Sequence, residues 1–111
     1  MMEAMTWRFS TDETAYLRRG LMARGQTYAT LLSQVLAGKR PPALAALLAA
    51  KPGRRPEEVL RLALDQLERR RILLDTTDDA YGRCDHCGID LGLVRLREMP
   101  WADRCEAHAA V

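Results

Sequence analysis

Three cysteines and a histidine carry the clearest chemistry in this chain. Two residues separate Cys84 from Cys87, seventeen follow, and two more separate Cys105 from His108. Thiolate and imidazole are the donors that zinc prefers in a tetrahedral four-ligand site. Three cysteines suit a disulfide framework poorly, and a histidine as fourth donor completes the set. Gly88, directly after Cys87, can adopt the positive φ that a turn closing on one ion requires. His86 lies inside the first loop, where its side chain is expected to point away from the metal. Four protein donors leave no open position for water, so the expected role is structural, with one Zn2+ bound. Iron is the other metal these donors could take, although a closed, redox-inert site favours zinc. Sites of this kind supply an apparent binding energy of about 10–16 kcal/mol. That matches or exceeds the total stability of a typical domain, about 5–15 kcal/mol.

The elements that position these donors are helical. Apolar residues make up 48% of the 111-residue chain and aromatics only 5%. A core of Leu, Ala and Val favours helix on helix over a β-sandwich. Residues 1–9 form an arm, with Trp7 and Phe9 able to dock it. Ser10-Thr11-Asp12-Glu13 reads as a capping box opening a helix over 11–37. Leu17, Leu21, Tyr28, Leu31 and Val35 mark its apolar stripe, which Arg24 interrupts. Gly20 and Gly25 each cost such a helix about 1 kcal/mol, so a bend or close crossing is expected near them. Gly38 is a stop. After Pro41-Pro42 a short Ala/Leu helix over 43–50 must pack to persist. Pro56 starts the next helix, whose seam is Leu60, Leu64, Leu67 and Leu74 with Val59 and Ala63. Thr76 and Thr77 close it.

The expected fold is therefore mainly α: an antiparallel helical hairpin over 10–80 with a short helix at its tip. A small zinc finger over 81–111 follows. Its seventeen-residue insert suffices for a short β-hairpin carrying Ile89, Leu91, Leu93 and Leu96. Pro100 can then start a short C-terminal helix that presents Cys105 and His108 on one face.

The net charge of +2 conceals an asymmetry. Residues 38–56 hold Lys39, Arg40, Lys51, Arg54 and Arg55 without an acid, whereas 75–111 are net −4. A basic loop over 39–55 suits phosphates or an acidic protein surface. The same run would equally serve as a solvated turn that keeps the hairpin soluble. No stretch approaches the roughly 20 apolar residues of a membrane span, so no membrane contact is expected. The chain opens without the features of a secretory signal, making reduced thiols and a cytoplasmic location the expectation. No Ser-His-Asp set, apolar carboxylate pair or nucleotide motif occurs, so neither an enzyme nor a small-molecule substrate is expected. Trp101 is expected to pack the finger on the helices, and Arg95 to pair with Asp85 or Asp90.

Tyr81-Gly82-x-Cys84-x-x-Cys87-Gly88, Leu91-Gly92-Leu93-x-Arg95-Leu96, Pro100 and Cys105-x-x-His108 together resemble the zinc finger of the DksA/TraR family. The likeness spans about 28 of the 111 residues, and two helices ahead of the finger fit the family in outline. It implies a bacterial transcription regulator that contacts RNA polymerase or an associated factor, with Cys84, Cys87, Cys105 and His108 on zinc. Family members insert an antiparallel coiled coil into the polymerase secondary channel, with acidic residues at its tip near the catalytic magnesium. Some respond to guanosine tetraphosphate. His108 stands where most members have cysteine, and the tip here is basic. The family's D-x-x-D-x-A pattern occurs as Asp75-Thr76-Thr77-Asp78-Asp79-Ala80, ahead of the finger and away from the tip. The sequence stops three residues past His108, short of the C-terminal helix of longer members, and a response to the alarmone is not expected. Two other readings remain: a nucleic-acid-binding zinc protein using loop 39–55, or a zinc-stapled adaptor or oligomerisation module.

Overall fold

The computed structural model describes residues 7–109. Residues 1–6 of the expected arm and the last two residues lie outside that range. The order of elements is α1 (Thr11–Leu36), α2 (Leu44–Ala50), α3 (Pro56–Asp75), α4 (Leu93–Glu98) and a 3-10 turn at Glu106–His108. Among the described residues no helix is long and apolar enough to cross a membrane.

The signals at the helix ends act as the sequence predicts. The Ser10 amide donates to Glu13 Oε1 at 2.8 Å and the Glu13 amide to Ser10 Oγ at 3.0 Å, which satisfies two otherwise orphaned N–H groups of α1. At the other end Gly38 adopts φ 86°. The amide of Lys39 donates to Gln34 O and that of Gly38 to Val35 O, both at 2.9 Å, the paired bonds of a Schellman motif. α3 ends in the same motif, but with Thr77 in the left-handed position at φ 51°. There Asp78 N donates to Leu73 O and Thr77 N to Leu74 O.

The chain divides into two compact units whose boundary falls within both long helices. Of the described residues, one unit comprises 7–21 and 70–109, the other 22–69. In the second unit Tyr28 and Leu31 of α1, Leu44 of α2, and Val59, Leu60 and Leu67 of α3 are buried. Three helices thus share one apolar interior, and α2 persists because Leu44 is sealed into it. Full burial of each such leucine is worth about 1.5–3 kcal/mol. Arg24, which breaks the stripe, lays its guanidinium 4.9 Å from the Tyr28 ring centroid one turn on. This cation–π contact lets a charged residue occupy the edge of the seam.

In the first unit the buried residues include Phe9, Leu17, Leu21, Arg70, Leu74, Tyr81, Cys84, Leu96 and Ala102. Gly20 has a packing reason here. A Cβ at that position would come within 2.8 Å of Pro100 Cγ, so the missing side chain admits the proline against α1. Gly25 has open space around it, and nothing in the structure explains it.

The segment between the two ligand pairs departs from expectation. In place of a β-hairpin there is one isolated antiparallel bridge, Arg83 with Asp90. Gly92, at φ 87°, turns the chain out of the extended run and into α4. There Leu96 is fully buried and Val94 is 82% exposed. Leu93 and Leu96 are three residues apart, and this helical spacing wins over the two-residue alternation of Ile89, Leu91 and Leu93 because it buries Leu96 completely. The helix expected from Pro100 is likewise displaced. α4 precedes Pro100, Cys105 caps the short 3-10 turn and His108 ends it.

Candidate metal centre

The first ligand pair hangs from a buried anchor. Tyr81 is fully buried and its hydroxyl donates to Pro100 O at 2.7 Å, tying the approach to Cys84 to the segment leading to Cys105. Burial pushes the Tyr81 hydroxyl well above its ordinary titration range, against the pull of Arg70 and Arg8, so it remains a donor. Beyond it, the Cys84 amide donates to Ile89 O at 2.9 Å and the Gly88 amide donates to Cys84 O at 2.8 Å. These bonds close the loop over 84–89, and Gly88 takes the expected positive φ, 79°. The second pair is brought in by Asp85 N donating to Asp103 O at 2.8 Å. Arg95 Nη2 steadies the same segment by donating to Arg104 O at 3.3 Å. His108 N donates to Cys105 O at 3.0 Å, which folds the x2 spacing back on itself.

The result gathers all four donors. The ligand atoms of Cys84, Cys87, Cys105 and His108 lie within 4.8 Å of one another. Cys87 Sγ is 3.8 Å from Cys105 Sγ, Cys84 Sγ is 3.7 Å from His108 Nδ1, and Cys105 Sγ is 3.2 Å from the same nitrogen. A four-coordinate ion with bonds of about 2.3 Å to sulfur and 2.0–2.1 Å to nitrogen sets sulfurs about 3.8 Å apart, and sulfur and nitrogen about 3.5 Å apart. The Cys87–Cys105 separation matches the first value, and the two sulfur–nitrogen separations, 3.2 and 3.7 Å, lie on either side of the second. These residues could hold one metal ion, with His108 presenting Nδ1.

The electrostatics of the cluster fit a cation. Burial opposes ionisation of Cys84, yet the backbone around Cys105, Cys87 and His86 and the Cys87 side chain outweigh it and bring the thiol down to about 5. The His86 amide contributes directly, donating to Cys84 Sγ at 3.4 Å. For Cys87 the backbone at Ile89 favours the thiolate, but burial and the neighbouring sulfurs of Cys84 and Cys105 push its thiol up. Several thiolates this close repel one another, and an ion between them removes the conflict. His86 stays outside the donor set, its exposed ring 4.3 Å from that of His108.

One expectation about a neighbouring residue needs correction. Arg95 pairs with neither Asp85 nor Asp90. Arg70 Nη2 reaches both Asp85 oxygens at 3.3 and 3.4 Å, and Arg8 takes Asp90 at 2.8 Å. Trp101 is half-buried within the first unit. Residue spacing does not single out Arg8, Arg70, Asp79 and Asp90. A signal existed nonetheless: Arg8 is a lone cation in its arm, and Asp75, Asp78, Asp79, Asp85 and Asp90 form an acidic run.

The basic residues Lys39, Arg40, Lys51, Arg54 and Arg55 belong to the second unit and are all exposed. Arg54 lies 3.6 Å from Glu58 and Arg55 3.8 Å from Glu57. The first-turn carboxylates of α3 therefore offset part of the positive charge that the segment carries in isolation. No family model, curated protein or solved structure significantly matches this chain.

Proposed function

We propose that this chain is a zinc-binding transcriptional regulator of the DksA/TraR type, acting by protein contact with RNA polymerase or an associated factor. The observation that carries the reading is the convergence of two ligand pairs, seventeen residues apart, onto one point with all donor atoms within 4.8 Å. Three sulfurs and one nitrogen in a closed set favour zinc over a redox metal, and the ion supplies cross-linking of the C-terminal segment. Cys84 and Cys87 would hold it from the loop over 84–89, and Cys105 and His108 from the 3-10 turn.

The exposed Lys39, Arg40 and Lys51, with Arg54 and Arg55, are the surface assigned to the partner. Their sign suits an acidic protein face and opposes a role beside a catalytic magnesium. Elemental analysis of the native protein is expected to return one zinc per chain; a metal-free protein or an iron protein would sink the zinc assignment. Purified polymerase holoenzyme is expected to retain the protein at low micromolar concentration and modest salt. Absence of any association under those conditions counts against the regulatory reading.

Exposure of all five basic side chains also favours a second reading, nucleic-acid binding through loop 39–55. Affinity for an oligonucleotide should then fall steeply with salt, and Arg54→Ala with Arg55→Ala should weaken it regardless of sequence.

A further inference from the structure

Arg8 lies in the arm ahead of α1, and its guanidinium grips both flanks of the Cys84-x2-Cys87 loop. On the far flank, three residues past Cys87, Nη1 donates to Asp90 Oδ2 at 2.8 Å. On the near flank Nε donates to Asp79 Oδ1 at 3.2 Å, and Nη2 donates to the carbonyls of Asp79, at 3.3 Å, and Tyr81. The two flanks are themselves joined by Leu91 N donating to Gly82 O at 2.9 Å and by the Arg83–Asp90 bridge. The Arg8 side chain, a planar, fork-shaped donor, is 18% exposed, while its partners Asp79 and Asp90 reach it from the surface. The arm is seated on either side of it. Phe9 is buried with its ring edge-on to Tyr81, centroids 6.0 Å apart, and Trp7 Nε1 donates to Thr14 Oγ1 at 3.0 Å. The guanidinium also stands 5.0 Å from the Phe9 ring centroid.

The segment that Arg8 clamps has its ends set by the two cysteines it encloses. A loop closed on an ion holds Asp79, Tyr81 and Asp90 at one spacing, and a guanidinium bonded to all three holds that loop ready for the ion. We propose that Arg8 is a positioning residue for the metal centre, so that docking of the N-terminal arm and metal binding reinforce each other. The proposal rests on the reading that Cys84, Cys87, Cys105 and His108 hold a metal ion. Coupling of this kind is reciprocal: the factor by which the docked arm raises metal affinity is the factor by which metal raises docking of the arm.

The test uses cobalt(II) on the full chain, with affinity measured by chelator competition and coordination read from the visible absorption spectrum. Arg8→Ala is expected to weaken cobalt binding about tenfold, inside the roughly 5–150-fold range of such couplings. The absorption bands should be unchanged, because no ligand is lost. Arg8→Lys should recover only part of the loss, since one ammonium cannot span both flanks. Arg18→Ala breaks a comparable ion pair in the same unit, to Asp75 at 3.0 Å, away from the loop; it should leave the affinity within about twofold of the parent. Asp90→Asn strips the charge from the far-flank contact by a second route, and the double variant should be no weaker than Arg8→Ala alone. In a Trp101→Phe background, Trp7 emission should shift on zinc addition and shift less when Arg8 is Ala. Unchanged affinity in Arg8→Ala and Asp90→Asn, or an equal loss in Arg18→Ala, overturns the proposal while leaving the metal site standing. A parent protein that takes up no cobalt overturns the metal reading beneath it as well.

Discussion

The two compact units hold themselves together by different means. In residues 22–69 the interior is aliphatic, with Leu31, Leu44, Val59, Leu60 and Leu67 buried, and ion pairs such as Arg54–Glu58, Arg55–Glu57 and Arg69–Asp65 span four residues or fewer. In the unit built from residues 7–21 and 70–109, some side-chain bonds join positions 57 to 82 residues apart, among them Arg18–Asp75 and Arg8–Asp90. Its C-terminal segment has one isolated bridge for regular pairing and leaves Ile89 and Val94 in solvent. A segment that leaves such side chains in solvent gains from cross-links, and the buried Tyr81 supplies one, with the Cys84, Cys87, Cys105 and His108 cluster able to hold an ion as another. The contrast teaches that hydrophobic patterning and site chemistry are alternative ways to restrain a chain, used here in separate places.

The largest effect should come from removing the proposed ion. With a strong chelator, amide exchange across 81–109 should approach the unprotected rate, because the ion's contribution of about 10–16 kcal/mol is lost there. Protection across 56–69 should largely persist, and equal loss in both regions would erase the distinction drawn above. Leu60→Ala probes the other side. It should cost about 2–5 kcal/mol in urea unfolding, since Leu60 is fully buried, yet leave the cobalt spectrum unaltered.

Acid should act on the polar unit. A hydrogen bond from Arg83, opposed by burial and aided by the charges of Arg83 and Arg8, holds the Asp79 carboxyl below its ordinary 3.8. The unfolded chain then binds the proton more readily. The stabilisation is present above the ordinary value and is lost as pH falls through the lower, folded one. Asp79→Asn should flatten the acid side of the melting-temperature profile, and an unchanged profile would remove Asp79 from the account.

The smallest effect compares the two Schellman motifs. Thr77 carries a β-branched side chain at φ 51° where Gly38 serves the equivalent position. Thr77→Gly should raise stability by up to about 1 kcal/mol, and Gly38→Thr should lower it by a similar amount, both measured by thermal unfolding.

Much of the helical part was legible because its signals are local. Ser10 and Glu13, Gly38, Pro56 and the leucine periodicity act within one or two turns, and each sits where the spacing places it. The metal quartet was legible for a related reason: two short x2 pairs must each turn back on themselves to present both donors. The course of residues 88–104 was not, since alternation and helical spacing coexist there and only the sealing of Leu96 chooses between them. Nor were the assignment of Asp85 to Arg70 and of Asp90 to Arg8, or the use of Gly20 to admit Pro100.

Residue types and their spacing thus determined which atoms can ligate an ion and where the long helices begin and end, because caps, periodicity and ligand pairs are governed by neighbours along the chain. The tertiary structure alone decided which carboxylate meets which guanidinium and whether the insert would be strand or helix. The pairings join partners 15 to 82 positions apart, whose arrival is set by packing rather than by any local preference.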